Sequence, residues 1–382
     1  MDIEPLLQLM IEKDGSDLFI SEGRAPGLKA QGKIHNVGKA ALTKTQTRDM
    51  ALATMEDWQK DEFLKEKELN YAIVSKKGGG RFRVNTFFQR GAVGMVLRKI
   101  PTDIPTPEDL HLPPILKELC MNKRGIIIFV GGTGTGKSTS LASLIGYRNE
   151  YGNGHIITIE DPIEFVHEHK GCIITQRELG IDTLSWENAL HSTLRQAPDV
   201  ILIGEIRSRE TMEHAVSFAE TGHLVFATLH ANNANQALDR IINFFPSDRR
   251  DQLLLDLSLN LRAFVAQQLI PTIDGGRRAA IEILINTPLI GDLVKKGEVH
   301  EIKEIMSKSK ELGMQTFDQA LYELFNEGLV SYDEAIKHAD SKNDLRLMIK
   351  LHSSSENVRG EDDGTDGLML EETKEKDGGA LF

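Results

Sequence analysis

Cysteine is almost missing from this chain: Cys120 and Cys172 are the only two among 382 residues. Two thiols cannot staple a secreted fold or fill a tetracysteine zinc module, and they suit a reducing compartment. Long apolar runs are missing as well. No stretch approaches the roughly 18 apolar residues needed to cross a bilayer, so no membrane insertion is expected. The opening MDIEPLLQLMIEKDG sets acids among its apolar residues and does not read as a secretory signal. Basic side chains number 45 against 57 acidic ones, a formal charge of -12. Aromatics are 6%, and no dense basic stripe with interleaved aromatics occurs, so nucleic acid is not an expected partner. These absences leave a cytoplasmic protein long enough for two or three domains, each with its own core.

Half of the formal charge sits at the end of the chain. From Ser353 to Phe382 nine acids stand against three bases, with few apolar residues beyond Leu368-Met369-Leu370. Residues 351–382 are expected to be a disordered acidic tail that solvates or docks.

The body divides by rhythm. Residues 4–13 have helical spacing, and Asp17 to Ile20 reads as a strand. Leu28 to Val37 reads as another strand, and Thr43 to Leu64 as one amphipathic helix opening on a Thr/Gln cap. Tyr71 to Ser75 and Arg81 to Gln89 flank Lys77-Gly78-Gly79-Gly80 as a hairpin, and Val93 to Ile100 adds a strand. Pro101, Pro105 and Pro107 then interrupt regular structure. This predicts an α+β N-terminal domain over 1–100 and a linker over 101–107. Beyond it, buried strands at 125–130, 155–159, 200–203 and 224–229 alternate with helices from Lys137 onward, at 185–197 and at 209–221. That alternation predicts an α/β domain over 108–287, with a mainly parallel sheet covered on both faces. A helical subdomain is predicted over 288–350.

Gly131-Gly132-Thr133-Gly134-Thr135-Gly136-Lys137-Ser138 satisfies G-x-x-x-x-G-K-[ST] between an apolar strand and a helix. Glycines let successive N–H groups curl around phosphate oxygens, and the helix N-terminus adds positive potential. Lys137 is expected to reach the β and γ phosphates and the Ser138 hydroxyl to ligate Mg²⁺, with Thr139 completing the cradle. The sequence therefore implies a nucleoside triphosphate.

Three further segments end predicted strands, where an open α/β sheet places its ligand crevice. Thr158-Ile159-Glu160-Asp161-Pro162-Ile163-Glu164-Phe165 gathers carboxylates suited to holding water beside a metal ion. Asp199 to Arg207 is an apolar strand ending in Glu205, a Walker B pattern with Glu for the usual Asp. Thr221 to His230 frames a strand with two histidines, roughly 23 Å apart if extended at about 3.3 Å per residue. His230 falls at the crevice end. His223 falls at the other end, where it faces a neighbouring subunit or domain. His167, His169 and the remaining histidines read as solvated.

Together these boxes resemble the type II and type IV pilus secretion ATPases over about residues 1–350. The nearest resemblance is to the twitching-motility retraction ATPases of the PilT/PilU family, the PilU side especially. Ser16-Asp17-Leu18-Phe19, Gly80 to Asn85, Thr158 to Phe165, Ala197 to Arg207, Thr221 to His230 and Asn286 to Ile290 carry it. The resemblance implies a PAS-like N-terminal domain, then a RecA-like P-loop NTPase domain with a C-terminal helical bundle, assembled as a homohexamer. It implies ATP and Mg²⁺, and arginines from the N-terminal domain at Arg81, Arg83 and Arg98 that reach the triphosphate. It further implies two partners, a PilT-type retraction ATPase and the inner-membrane pilus platform protein, with peripheral membrane association. Where PilT proteins carry an arginine linked to retraction, this chain has Gly291, which fits an accessory motor. Gly132 stands where the family often has proline.

The expected chemistry is in-line attack of water on the γ-phosphorus. Lys137, Mg²⁺ and the arginines would stabilise the transferring phosphoryl group. Ser138 and Glu205 are the expected metal residues, and Glu164, then Glu160, the residue that positions water. Two other readings stay open: a pilus-extension or type II secretion ATPase, and a nucleotide-gated scaffold whose hydrolysis is incidental.

Overall fold

Alternating burial organises the first hundred residues into strands β1 (Asp17–Ile20), β2 (Gly27–Ala30), β3 (Lys33–Asn36), β4 (Glu68–Val74), β5 (Arg81–Gln89) and β6 (Ala92–Ile100). In this computed structural model, which describes residues 2–78 and 80–352, they form one antiparallel sheet in the order β3-β2-β1-β6-β5-β4. Phe82, Val84 and Leu97 pack with Leu7 and Met10 of helix Glu4–Glu12. Strand period two therefore turns Arg81 and Arg83 of β5 to the face away from that core. The hairpin carrying them is tied down by Glu4. Its buried carboxylate accepts from the Ser75 hydroxyl and from the Lys76 and Lys77 amides, at 3.2 and 3.3 Å for the two amides.

Two expected elements are each divided. The strand expected over 28–37 is the hairpin β2–β3, because Gln31 and Gly32 both take positive φ, 51° and 77°. The helix expected over 43–64 is two helices, Lys44–Ala53 and Asp57–Glu66. Thr43 and Gln46 form the anticipated capping box, but Glu56 and Gln59 form a second one. Between them the Thr54 hydroxyl bonds to the Ala51 carbonyl and the Tyr71 hydroxyl, at 2.7 and 2.6 Å, closing the first helix.

The second sheet contains β7 (Gly125–Val130), β8 (Gly154–Glu160), β9 (Cys172–Glu178), β10 (Val200–Ile203), β11 (Leu224–Leu229), β12 (Leu261–Pro271) and β13 (Arg277–Ile285). Its order is β13-β12-β7-β11-β10-β8-β9. Every adjacent pair is parallel except β12–β13. β7, β10 and β11 are buried along their whole length, as strands covered on both faces must be. Helix Lys137–Tyr151 covers one face through Leu141, Leu144 and Ile145. On the other face, Ile302, Phe317, Leu321 and Leu345 share a single core with Ile201, Val225, Phe264 and Leu284. The helices after Pro288 thus close over the sheet instead of enclosing a core of their own.

β9, β12 and β13 have no counterpart among the sequence expectations, because Gln176, Gln267 and Glu282 break their apolar runs. The last is informative about stability. Glu282 is 2% exposed, and burial pushes its carboxyl up to about 7, against donation from the Ala234 amide. A carboxyl raised on folding stabilises fully below its unfolded value, and that contribution is lost as pH climbs through the folded one. The window here runs from about 4.5 to about 7. Its span is on the order of 3 kcal/mol. Glu282→Gln is therefore expected to gain stability relative to the parent chain as pH rises from 5 to 8, read as Tm at each pH. A constant difference between the two curves contradicts the burial argument.

No helix among the described residues is long and apolar enough to cross a membrane. The acidic tail lies outside the described residues from 353 onward.

Candidate nucleotide-binding site

Parallel register decides where the chemistry gathers. Leu229 pairs with Val130, Ala227 with Ile203, and Ile203 with Ile159. The loops leaving β7, β11, β10 and β8 consequently emerge along one edge of the sheet. Those loops carry the glycine-rich segment, His230, Glu205 and the 160–164 turn.

The glycine-rich loop leaves β7 with the Gly131 amide on the Leu229 carbonyl at 3.2 Å. A Cβ at Gly131 would stand 2.7 Å from the Gln267 carbonyl, and one at Gly136 2.7 Å from Gln267 Nε2. Both positions also take positive φ, so only glycine fits. Gly132 differs: the nearest atom to a Cβ there is Thr135 Cγ2 at 3.9 Å, so a side chain has room. Gln267 Oε1 accepts from the Ser140 hydroxyl at 2.9 Å, fastening β12 to helix Lys137–Tyr151. Lys137 is 8% exposed and its Nζ donates to the Gly131 and Gly132 carbonyls at 2.7 and 2.6 Å. Burial pushes its ammonium below the ordinary value, and the charge of Glu205 pulls it back.

Thr133, Gly134, Lys137 and Ser138 line a cavity of about 320 Å³ together with Glu160, Glu164, Glu205 and His230. Glu205 is 13% exposed, with Oε2 accepting from Arg207 Nε at 2.6 Å and Oε1 lying 3.3 Å from His230 Nε2. The turn carrying it is locked at both ends. Gly204 N donates to the Ile159 carbonyl at 2.7 Å, and Ile206 N to the Thr228 carbonyl at 2.8 Å. Glu160 Oε1 accepts from the Thr158 hydroxyl at 2.7 Å and from Gln176 Nε2 at 3.2 Å. Burial raises its carboxyl above the ordinary value despite those donors. Glu164 is exposed on the same cavity wall.

The other candidate residues are dispersed. Gly136 and Thr139 line a second cavity of about 370 Å³ with Leu110, Leu269 and Arg278. His223 lies outside the phosphate cavity at the far end of β11, where its amide donates to the Phe218 carbonyl at 3.0 Å. Arg98 donates to Asp17 within the first sheet at 2.8 Å. Arg83 leaves that sheet and approaches Glu178, with Nε 3.9 Å from Oε1. The charge of Arg81 also faces Glu178, and Arg81 Nε is buried without a partner.

One expectation about the histidines is corrected. His167 is not a solvated group: it is half-buried, lines the phosphate cavity, and burial pushes its imidazole down to about 4. Its amide donates to Gln176 Oε1 at 2.8 Å. His155 is likewise engaged, with Nδ1 at 2.9 Å from the Gln196 carbonyl and Nε2 at 2.9 Å from the Thr175 hydroxyl. Sequence reasoning also missed Gln176, Glu178, Arg207 and Gln267 as site residues. Only Arg207 carried a signal, as the base two residues after the strand-ending carboxylate.

A family model described as "Type II/IV secretion system protein" matches residues 81–323. The type IV pilus ATPase PilU of Pseudomonas aeruginosa is 61% identical, with 100% of both chains covered. The type IV pilus retraction ATPase PilT of the same organism is 40% identical over 89% of this chain and 98% of its own. Among solved structures, the pilus retraction motor PilT with bound ADP superposes with a TM-score of 0.85 at 37% identity. That match covers 91% of this chain and 100% of that one. With its glycine-rich loop, its acidic edge and its full-length likeness in agreement, the chain belongs to the type II/IV secretion system protein family, within the PilT/PilU group of pilus ATPases.

Proposed function

We propose that this chain is an ATPase motor that powers type IV pilus retraction, acting alongside a PilT-type ATPase. The observation that carries the chemistry is the meeting, in one cavity, of Lys137 and Ser138 with Glu164, Glu205 and His230. Water attacks the γ-phosphorus in line. Lys137 neutralises charge on the transferring group from within a buried loop, where a fixed cation is worth more than in water. Glu164 positions the water: it stands exposed on the cavity wall, whereas Glu160 is occupied by Thr158 and Gln176. Glu205, held by Arg207 and His230, faces Lys137 across the cavity.

The donor set suits Mg²⁺. Among the described residues no group of three His, Cys, Asp or Glu forms a cation cage. Magnesium characteristically keeps several waters and takes one or two protein oxygens plus substrate phosphates. Ser138 and Glu205 would hold it, and when bound it neutralises charge on the phosphate oxygens. The second cavity, with Leu110, Leu269 and Arg278, suits a nucleobase and ribose entering past Thr139.

The domain reading keeps a PAS-like lobe over 1–100, a linker over 101–107, a RecA-like lobe over 108–287 and a C-terminal helical part over 288–350. The antiparallel first sheet and the largely parallel second one support that division. Arg81 and Arg83 are the arms from the first lobe, supported by their common face and by the reach of Arg83 to Glu178. A homohexameric ring, peripheral docking on the pilus platform protein and a contact role for His223 complete the reading. Gly291 supports the accessory role: a Cβ there would lie 3.3 Å from both Asn286 Oδ1 and the Ser258 carbonyl, leaving little room for an arginine stem.

Glu164→Gln tests motor against scaffold. The full-length variant is expected to bind Mg-ATP normally and lose turnover by about 10²-fold or more. Produced in a strain deleted for this chain, it is expected not to restore twitching. Restored twitching without turnover would favour the scaffold.

A further inference from the structure

The segment between His230 and helix Ala234–Asn243 is held by a charged network that the hydrolysis chemistry does not use. The Ala234 amide donates to Glu282 Oε1 at 2.8 Å, and the Phe317 amide donates to the same carboxylate. One buried side chain on β13 thus caps two helices, Ala234–Asn243 and Phe317–Asn326. Asn233 Oδ1 accepts from the Gln236 amide at 2.9 Å, while its Nδ2 donates to Asp340 Oδ2 at 3.2 Å. Lys303 Nζ donates to the same Asp340 oxygen at 2.9 Å and lies 3.9 Å from Asp318. Asp318 in turn accepts from the Asp340 and Ser341 amides at 2.9 and 3.1 Å.

We propose that Glu282, Lys303 and Asp340 are positioning residues that fix the start of helix Ala234–Asn243 and thereby set where His230 stands in the phosphate cavity. The inference rests on the reading of His230 as a phosphate-facing group. Its warrant is where the bonds end. They converge on Asn233 and Ala234, three and four residues past His230, and residues 230–233 have no strand or helix to hold them otherwise. The anchors come from four separate elements: β13 supplies Glu282, helix Val299–Ser307 supplies Lys303, helix Phe317–Asn326 supplies Asp318, and the turn before helix Lys342–His352 supplies Asp340. A displacement of the C-terminal helices is therefore passed to His230 through bonds, without contact with the nucleotide. One lysine serves three carboxylates, so among the described residues the loss of Lys303 removes the cation that this set shares.

Full-length Asp340→Ala and Lys303→Met test this with two readouts. Amide hydrogen exchange over residues 231–236 is expected to rise about tenfold or more in both variants. ATP turnover is expected to fall about tenfold with Mg-ATP affinity unchanged, and adding His230→Ala should lower it no further. A residue that merely supports the fold would instead give losses that multiply. Unchanged exchange in both variants, or multiplying losses, overturns the proposal. Raised exchange with normal turnover in His230→Ala alone would preserve the network's grip on the loop but end the assigned role of His230.

Discussion

ATP turnover by the Lys137→Ala chain is expected to fall about 10³-fold or more, to near the background of phosphate release. The size follows from burial. Lys137 is 8% exposed, and among the charges lining the phosphate cavity it is the cation nearest the glycine loop. The structural cost is much smaller. The Gly132 carbonyl keeps the Thr135 hydroxyl as a donor while the buried Gly131 carbonyl loses the ammonium, so about 1 to 3 kcal/mol of stability is at stake. A folded variant by circular dichroism with turnover within tenfold of the parent would remove Lys137 from the chemistry.

Arg83→Ala is expected to lower turnover by about 10³-fold while leaving Mg-ATP binding nearly intact. Arg83→Lys should recover only part of that loss, because an ammonium lacks the planar fork of a guanidinium. The contrast with Arg98 makes the test specific. Arg98 is 71% exposed and spends its Nε on Asp17, so Arg98→Ala should mainly loosen the β1–β6 pairing. Arg83 instead points across to Glu178 and does not line the phosphate cavity. A large effect at Arg83 therefore means that the first lobe turns to bring it over the triphosphate. Equal, small losses at Arg83 and Arg98 would leave both as ordinary surface cations.

Much of this was legible in the residues themselves. The run Gly125–Val130 followed by Gly136-Lys137-Ser138 fixed strand, loop and helix to the residue, since continuous apolarity, glycine and a helix start each constrain the backbone differently. Glu164, Glu205 and His230 could be placed on one edge because parallel strands share a direction. Other features needed three dimensions. Gln31 adopts positive φ without any glycine-like signature of its own, so the β2–β3 turn was hidden inside an apparently continuous strand. Gln267 and Glu282 read as interruptions in a hydrophobic run, yet each is buried because a partner distant in sequence satisfies it: Ser140 for one, Ala234 for the other. His167 reads as solvated in the sequence because neither spacing nor composition reveals its burial in the cavity lining.

The linker contributes one bond of disproportionate consequence: the Val166 amide donates to the Pro101 carbonyl at 3.3 Å. On the proposed domain reading, this bond would set a pivot for the first lobe two residues from Glu164. If Glu164 positions the attacking water as proposed, a swing of the first hundred residues would act as a lever with its short arm at that water and its long arm at the distant strands. A small adjustment at that pivot would then be magnified at the rim, and load applied to the rim would return, demagnified, to the cavity.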